Sequence, residues 1–97
     1  MDRPIILCGL GRMGARVLDY LHTAGLPVVV VDTVCKPDDP RLGGARLVSG
    51  DCRRREVLES AGVREGGGVL ILTADDLLNI STALMVRSLG LSLGGPR

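Results

Sequence analysis

The amino-acid sequence predicts one α/β domain in which helices cover both faces of a parallel sheet. Short apolar runs alternate along the chain with segments of helical periodicity, a pattern typical of such folds. The apolar residues are almost all aliphatic, and Tyr20 is the only aromatic residue among the 97. The first apolar run leads directly into a glycine-rich turn, and the second ends at Asp32. With right-handed crossovers, these features predict the strand order 3-2-1-4.

The first two predicted elements are a strand and a helix. Residues 4–8 (PIILC) form a short apolar run that ends at a glycine, which predicts a buried strand. A helical pattern begins at about Arg12, and Gly25 with Pro27 ends it. The residues expected to face inward are Met13, Val17, Leu18 and Leu21.

Two further strands and a short helix are predicted in the middle of the chain. Residues 28–32 (VVVVD) are apolar on both faces, as in a central parallel strand. Residues 33–45 contain two prolines and two glycines without helical periodicity, and we interpret them as a loop. A strand is expected at residues 46–48, then a helix within residues 53–63 that Gly62 ends. Its inward residues are expected to be Val57, Leu58 and Ala61.

A strand at residues 68–72 and a helix at residues 75–89 complete the predicted order. Thr73 and Asp76 have the spacing of a capping box. Residues 90–97 carry no pattern and are expected to be a tail or the start of another strand, within a single domain at 1–97.

The last helix carries two apolar stripes where a monomer needs only one. We expect the first to pack on the sheet and the second to face outward, with Asn79 and Arg87 on the remaining surface. The stripes are Leu77, Ile80 and Leu84, and then Leu78, Met85 and Leu89. The second stripe and the unpaired edge of the fourth strand predict a homodimer.

Composition argues against several classes of function. The net charge of +1 gives no reason to expect a nucleic-acid partner. No apolar run approaches the ~20 residues that span a bilayer, so we expect a cytoplasmic chain without direct membrane insertion. Three cysteines (Cys8, Cys35 and Cys52) without C-x-x-C spacing are expected to be reduced thiols. With His22 as the only histidine, no metal site is expected.

The glycine-rich turn is a G-x-G-x-x-G motif, and its three glycines have separate expected roles. Gly9 permits the tight turn, Gly11 lets a pyrophosphate approach the backbone, and Gly14 lets the helix pack closely on the strand. Backbone N–H groups from residues 11–13 would then face phosphate oxygens at the positive end of the helix. Asp32 would accept hydrogen bonds from ribose hydroxyls and repel a 2′-phosphate. The alternative is that the glycines only shape a turn and Asp32 only ends a strand.

Four stretches together make the chain resemble the Rossmann-like nucleotide-binding lobe of the TrkA-N family, the RCK domains that regulate the conductance of potassium. They are IILCGLGRMG, VVVVD, SGDCRRREVLESAGV and VLILTADDLLNISTALMVRSLG. The resemblance implies a module that binds NAD(H) or ATP/ADP and regulates a membrane potassium channel or transporter subunit, usually as a dimer. It implies no catalytic residues.

Carried over residue by residue, the resemblance gives a set of expected nucleotide-binding positions. The phosphates are assigned to the glycine-rich loop, the ribose to Asp32, and the adenine to Asp51 and Cys52. The whole set is Gly9, Leu10, Gly11, Arg12, Met13, Gly14, Asp32, Thr33, Asp51, Cys52 and Thr73.

Several of these residues could instead have a purely structural role, without any contact to a ligand. Asp51 would cap a helix that begins near Arg53, and Arg12 would be a solvated arginine at a helix start. Residues 53–55, three arginines, would be a solvated surface, and Thr73 would only cap its helix.

The sequence departs from the family pattern in two places. The Pro/Gly loop at residues 33–45 stands where the family has a helix, and the chain stops before the usual fifth and sixth strands.

Two alternative functions remain open: an NAD-binding fragment of a dehydrogenase, and an oligomerising module that has lost its ligand. Hydride transfer would require a positioned acid or base and a substrate pocket.

Overall fold

The computed structural model describes residues 3–73 and 75–89. The elements in chain order are β1 (Ile5–Cys8), α1 (Arg12–Thr23), β2 (Val28–Asp32), a 3-10 turn (Pro40–Leu42), β3 (Arg46–Ser49), α2 (Arg55–Ser60), β4 (Gly68–Ile71) and α3 (Asp76–Ser88). Their order confirms the alternation of strands and helices that the sequence predicts.

The four strands form one parallel sheet in the order β3-β2-β1-β4, as predicted. Ile5 of β1 pairs with Val28 on one side and with Gly68 on the other, and Val29 pairs with Arg46 of β3. The register therefore brings the carboxyl ends of all four strands to the same edge, where the glycine-rich loop lies.

The core has two layers, one on each face of the sheet. Alternate side chains of a strand point to opposite faces, so β1 contributes Leu7 to one layer and Ile6 and Cys8 to the other. The first layer is completed by α1 and the 3-10 turn, and the second by α2 and α3. Helices on both faces are therefore confirmed.

The segment at residues 33–45 is not a loop throughout, which corrects the sequence prediction. Asp39 caps a 3-10 turn by accepting a 2.9 Å hydrogen bond from the Arg41 N–H, and Pro40 takes the first position of the turn. Gly43 ends it with a φ of 56°. Leu42, only 4% exposed, enters the core beside α1. One turn is too short to show periodicity, so the only signal in the sequence was the Asp-Pro start and the glycine stop.

The two apolar stripes of α3 face opposite to the prediction. Leu78, Met85 and Leu89 pack against the core, whereas Leu77, Ile80 and Leu84 are 70%, 58% and 63% exposed. The stripes are similarly apolar, so periodicity could not choose between them. The buried face also holds Thr82, which is fully buried, and a hydroxyl there weakens its apolar signal. The predictions for residues 90–97 lie outside the described residues.

The start of each of two helices also differs from the prediction. Met13 was expected to face inward but is 59% exposed, whereas Gly14, the next residue of α1, is buried. Helix α3 begins at Asp76 with Asp75 as its cap, since the Asp75 carboxylate accepts a 3.0 Å hydrogen bond from the Leu78 N–H. The prediction of a capping box that starts at Thr73 is therefore wrong.

Over residues 3–73 and 75–89, none of the helices has both the length and the apolar character needed to cross a membrane.

Candidate functional site

The glycine-rich loop joins β1 to α1, and each of its glycines meets a different constraint. Gly9 has a φ of +101°, and a Cβ there would lie 2.9 Å from the Thr73 nitrogen. A Cβ on Gly14 would overlap the carbonyl oxygen of Gly9. A Cβ on Gly11 would have nothing within 4 Å. Gly9 and Gly14 are therefore required by the protein itself, whereas the space at Gly11 is open to a ligand.

The N-terminus of α1 presents donors to that open space. Gly11 is the N-cap residue, and no side chain of the described part of the chain caps this terminus. The first turn contains no acidic residue, and both Arg12 and Met13 are exposed. The first N–H groups of a helix lack intrahelical partners and carry its positive dipole end, so this terminus suits an anion.

Asp32 is the last residue of β2, and its carboxylate accepts hydrogen bonds from three backbone N–H groups. Its Oδ2 accepts a 2.7 Å hydrogen bond from Leu10, and its Oδ1 accepts bonds of 2.8 and 2.9 Å from Val34 and Cys35. Partial burial opposes ionisation, but these backbone donors outweigh it and hold the pKa of the Asp32 carboxyl below its usual 3.8. The group is therefore a carboxylate at neutral pH, with acceptor capacity left for a ribose hydroxyl.

A cleft of about 220 Å³ opens at the carboxyl edge of the sheet. It brings together seven of the eleven predicted residues: Gly9, Gly11, Asp32, Thr33, Asp51, Cys52 and Thr73. Leu10 lies instead beside a second cavity, and Arg12, Met13 and Gly14 are not part of either wall.

Four other residues line the cleft that the sequence analysis did not predict. They are Val31, Val34, Gly50 and Leu78. Val31 is the last residue but one of β2, and Gly50 directly follows β3, so strand prediction could have indicated both positions. Leu78 was assigned to the outer stripe of α3, so the orientation of that helix concealed it.

The second cavity, of about 530 Å³, lies between the start of α1 and the segment that replaces the expected helix. It shares Gly11, Asp32 and Val34 with the cleft. Arg41 lies on its wall, with its Nη2 2.7 Å from Asp39 Oδ2 and its Nε 3.1 Å from Asp39 Oδ1. These hydrogen bonds lower the pKa of the Asp39 carboxyl to about 2.

Asp51 is held by Arg53 rather than used as a helix cap. Its two oxygens accept hydrogen bonds from Nε at 3.1 Å and Nη2 at 2.6 Å, and Oδ1 also accepts one from the Arg53 N–H at 2.9 Å. These bonds lower the pKa of the Asp51 carboxyl. Helix α2 begins at Arg55 with Arg54 at the cap, so the alternative that Asp51 caps a helix near Arg53 is wrong.

Cys52 lines the cleft and contacts a residue of α3. Its Sγ is 3.1 Å from the Thr82 hydroxyl, which donates a 2.8 Å hydrogen bond to the Leu78 carbonyl. Hydrogen bonding to Cys52 and burial raise the pKa of the Cys8 thiol far above its usual value. All three cysteines are free and buried.

Thr73 and Asn79 fix the turn between β4 and α3. The Asn79 amide donates a 3.0 Å hydrogen bond to the Thr73 carbonyl, and the Thr73 hydroxyl contacts the Asn79 side-chain oxygen. Thr73 also accepts a 3.2 Å bond from the Asp75 N–H. Asn79 is therefore a partly buried support of the cleft and not a surface residue, which corrects the prediction.

Across the described positions, His, Cys, Asp and Glu side chains form no group of three that could hold a metal ion.

Residues 5–92 match the family model of the TrkA-N domain. The chain belongs to the TrkA-N domain family. The match confirms the resemblance expected from the four sequence stretches, two of which contribute the glycine-rich loop and Asp32 to the cleft.

Solved structures show how widely this fold of the TrkA-N domain is used. The C-terminal domain of Kef from Shewanella denitrificans, in an AMP-bound form, has a TM-score of 0.78 at 21% identity and 88% coverage of this chain. The GsuK RCK domain has a TM-score of 0.77 at 28% identity and 91% coverage. A UDP-glucose 4-epimerase has a TM-score of 0.72 at 21% identity and 92% coverage, so the fold also occurs in enzymes.

The chain spans only part of the length of each of these neighbours. It spans 52% of the Kef chain, 33% of the epimerase and 19% of the GsuK chain. At 21% identity the Kef and epimerase likenesses show the shared fold alone.

Proposed function

We propose that this TrkA-N domain binds an adenine nucleotide, NAD(H) or ATP/ADP, in the 220 Å³ cleft. One observation carries the proposal: the N-terminus of α1, which no side chain of the described residues caps, and the Asp32 carboxylate line the same cleft. Anionic phosphates suit the helix terminus, and ribose hydroxyls suit a carboxylate acceptor. The AMP bound to the Kef neighbour is consistent with such a ligand.

The contacts of the ligand follow from the walls of the cleft. Phosphates would lie over Gly11 and the first turn of α1, with Arg12 as an exposed cation beside them. The ribose would lie on Asp32 and Thr33, and the adenine between Val34 and Cys52. Because Arg53 occupies both oxygens of Asp51, we propose only a minor role for the Asp51 carboxylate in adenine binding.

We also propose that the role is regulatory and not enzymatic. Its context would be a potassium channel or transporter on the cytoplasmic side of a membrane, as the RCK and Kef neighbours suggest. A dehydrogenase would need a general acid or base near the ligand. His22, the only histidine, packs against Gly43 near the C-terminal end of α1, and a Cβ on Gly43 would lie 3.1 Å from its ring.

We further propose a homodimer, now with the opposite stripe of α3 at its interface. Leu77, Ile80 and Leu84 are exposed along one side of the helix, and a row of large apolar side chains is typical of a surface that another protein covers. The inner stripe is already packed against the core.

Thermal unfolding with parallel additions of NAD, NADH, ATP, ADP, AMP and NADP tests the nucleotide proposal. A ligand that binds only the folded state increases the free energy of unfolding, by about 2.7 kcal/mol when its concentration is a hundred times its Kd. The melting temperature rises as a result. We expect a rise with at least one nucleotide that lacks a 2′-phosphate. No rise with any of the six would contradict the proposal and favour a module that has lost its ligand.

A further inference from the structure

Two of the three buried cysteines meet on one face of the sheet. Cys8 and Cys52 belong to the core layer that α2 and α3 complete, whereas Cys35 lies in the layer on the opposite face. The Cys8 thiol is hydrogen-bonded to Cys52, although the two residues are far apart in the sequence. The fold therefore creates a thiol pair that residue spacing does not show.

Each member of this thiol pair is held by the structure around it. Cys8 is the last residue of β1 and pairs with Val31 on one side and with Ile71 on the other. Cys52 lies between β3 and α2, and its Sγ is 3.1 Å from the Thr82 hydroxyl of α3. Two thiols that already interact across a fixed backbone need little movement of the chain to form a disulfide.

The two thiols differ in their access to small molecules. Cys8 is fully buried, whereas Cys52 is 4% exposed and lines the 220 Å³ cleft. Hydrogen peroxide is about the size of two water molecules, each of which takes up about 30 Å³ in the liquid, so the cleft has room for it. Cys52 is therefore the thiol that a reagent in the cleft meets first.

The two thiols also differ in how tightly they hold their protons. Hydrogen bonding from Cys8 lowers the pKa of the Cys52 thiol, burial opposes this effect, and the hydrogen bond with Thr82 adds to the lowering. The same interaction between the cysteines, together with burial, raises the pKa of the Cys8 thiol. Because the thiolate is the form that reacts with a peroxide, Cys52 is the reactive member of the pair.

We infer that Cys8 and Cys52 form a redox pair, in which hydrogen peroxide in the cleft oxidises Cys52 and Cys8 then closes a disulfide with it. The Cys52 sulfur attacks the O–O bond, which breaks and leaves a sulfenic acid on Cys52, and the released hydroxide takes up the proton that the Cys52 thiol gave up. The Cys8 sulfur then attacks the Cys52 sulfur, and the S–O bond breaks as hydroxide leaves with the Cys8 proton to form water. Together the thiols lose two protons and two electrons, and the peroxide is reduced to two molecules of water.

The test uses the full chain, with its three thiols first reduced and then exposed to a small excess of hydrogen peroxide. The thiols that remain are alkylated with N-ethylmaleimide under denaturing conditions, and the intact mass and a peptide map are recorded. We expect a disulfide that joins Cys8 to Cys52 within one chain, an alkylated thiol at Cys35, and full reversal by dithiothreitol. Cys52 should be oxidised at least about tenfold faster than Cys35.

Three alanine variants, each checked for its fold by circular dichroism, separate the roles of the cysteines. Cys35→Ala is the matched control, because Cys35 is also buried but lies on the opposite face of the sheet, and it should form the disulfide at the rate of the parent. Cys8→Ala should stop at a sulfenic acid on Cys52, which dimedone traps, and Cys52→Ala should leave Cys8 reduced. The parent unfolded in urea should lose the preference for this pairing, and this comparison replaces the Cys8 variant if that variant does not fold.

Several results would overturn the inference. They are three alkylated thiols in the oxidised parent, a disulfide that includes Cys35, a link between two chains, or a sulfenic acid on Cys52 that persists beside a reduced Cys8. The same pairing preference in urea would show that the folded structure does not create the pair. The oxidation requires no nucleotide in the cleft, so its failure would leave the proposed function standing.

Discussion

The Asp32 carboxylate and the Leu10 backbone N–H are joined by a 2.7 Å hydrogen bond that links the end of β2 to the glycine-rich loop. The same carboxylate accepts two more N–H groups from the segment that follows β2. One side chain therefore fixes the backbone on both sides of the cleft. Removing it alters the shape of the site as well as the contact to a ribose.

The first prediction follows from this double role. Asp32→Ala should weaken the binding of NAD or ATP by about 1–3 kcal/mol, because the ribose loses a charged acceptor. It should also destabilise the fold by about 1 kcal/mol or more, because three N–H groups lose their partner. Calorimetry and thermal unfolding measure the two effects. Unchanged nucleotide affinity would remove Asp32 from the ribose site, whatever happens to stability.

Two glycines of one loop should separate binding from folding. Gly11→Ala adds a methyl group into open space, so stability should change little while nucleotide affinity falls by about tenfold or more. Gly14→Ala forces a methyl group onto the Gly9 carbonyl and should cost about 1–3 kcal/mol of stability. Denaturant unfolding and calorimetry on both variants provide the comparison. A Gly11→Ala protein that binds as tightly as the parent would place the phosphates elsewhere.

Acid should destabilise the domain in a defined range of pH. The pKa values of Asp32, Asp39 and Asp51 are lowered in the folded state from a usual 3.8, that of Asp39 to about 2. A lowered carboxyl pKa contributes stability above the unfolded value, and that stability is lost as pH falls through the folded value.

The melting temperature measured by circular dichroism should therefore stay nearly constant from pH 7 to about 5 and fall from about pH 4 towards 2. Asp32→Asn should lower the melting temperature at pH 7 and reduce its fall on acidification. A parent curve that is flat down to pH 2 would contradict the account of these carboxyls.

The exposed stripe of α3 should determine the oligomeric state. We expect the parent chain to sediment as a dimer at micromolar concentration, and Ile80→Glu with Leu84→Glu to sediment as a monomer. Glutamate is a good helix former, so the double variant should keep the circular dichroism of the parent. Tyr20→Glu, at a side chain of similar exposure on α1, is the control and should remain a dimer. A parent that sediments as a monomer would contradict the proposal.

The sheet could be predicted from the sequence because its signals are strong and local. Three apolar runs, the short strand expected at residues 46–48, the glycine-rich turn and Asp32 were enough to give the strand order and the edge at which the cleft lies. Parallel strands buried on both faces leave few other arrangements for such runs.

The orientation of α3 could not be predicted, because it is decided by contacts that sequence periodicity does not show. Thr82 is buried only because Cys52 and the Leu78 carbonyl satisfy its hydroxyl. In the same way, Asn79 is drawn towards Thr73 by a hydrogen bond that spans the turn. The pairing of Asp51 with Arg53 likewise depends on the local turn and not on residue type alone.

The backbone approach of Gly14 to Gly9, and of Gly9 to Thr73, has a consequence for the genetics of this protein. Both contacts are made against main-chain atoms, which every amino acid carries, so no exchange of a neighbouring side chain can create room. A selection for revertants of Gly14→Ala should therefore return glycine at that codon, together with distant changes that raise stability generally. Compensating substitutions next to the lesion should be absent, unlike the pattern expected for an overpacked side chain in the interior.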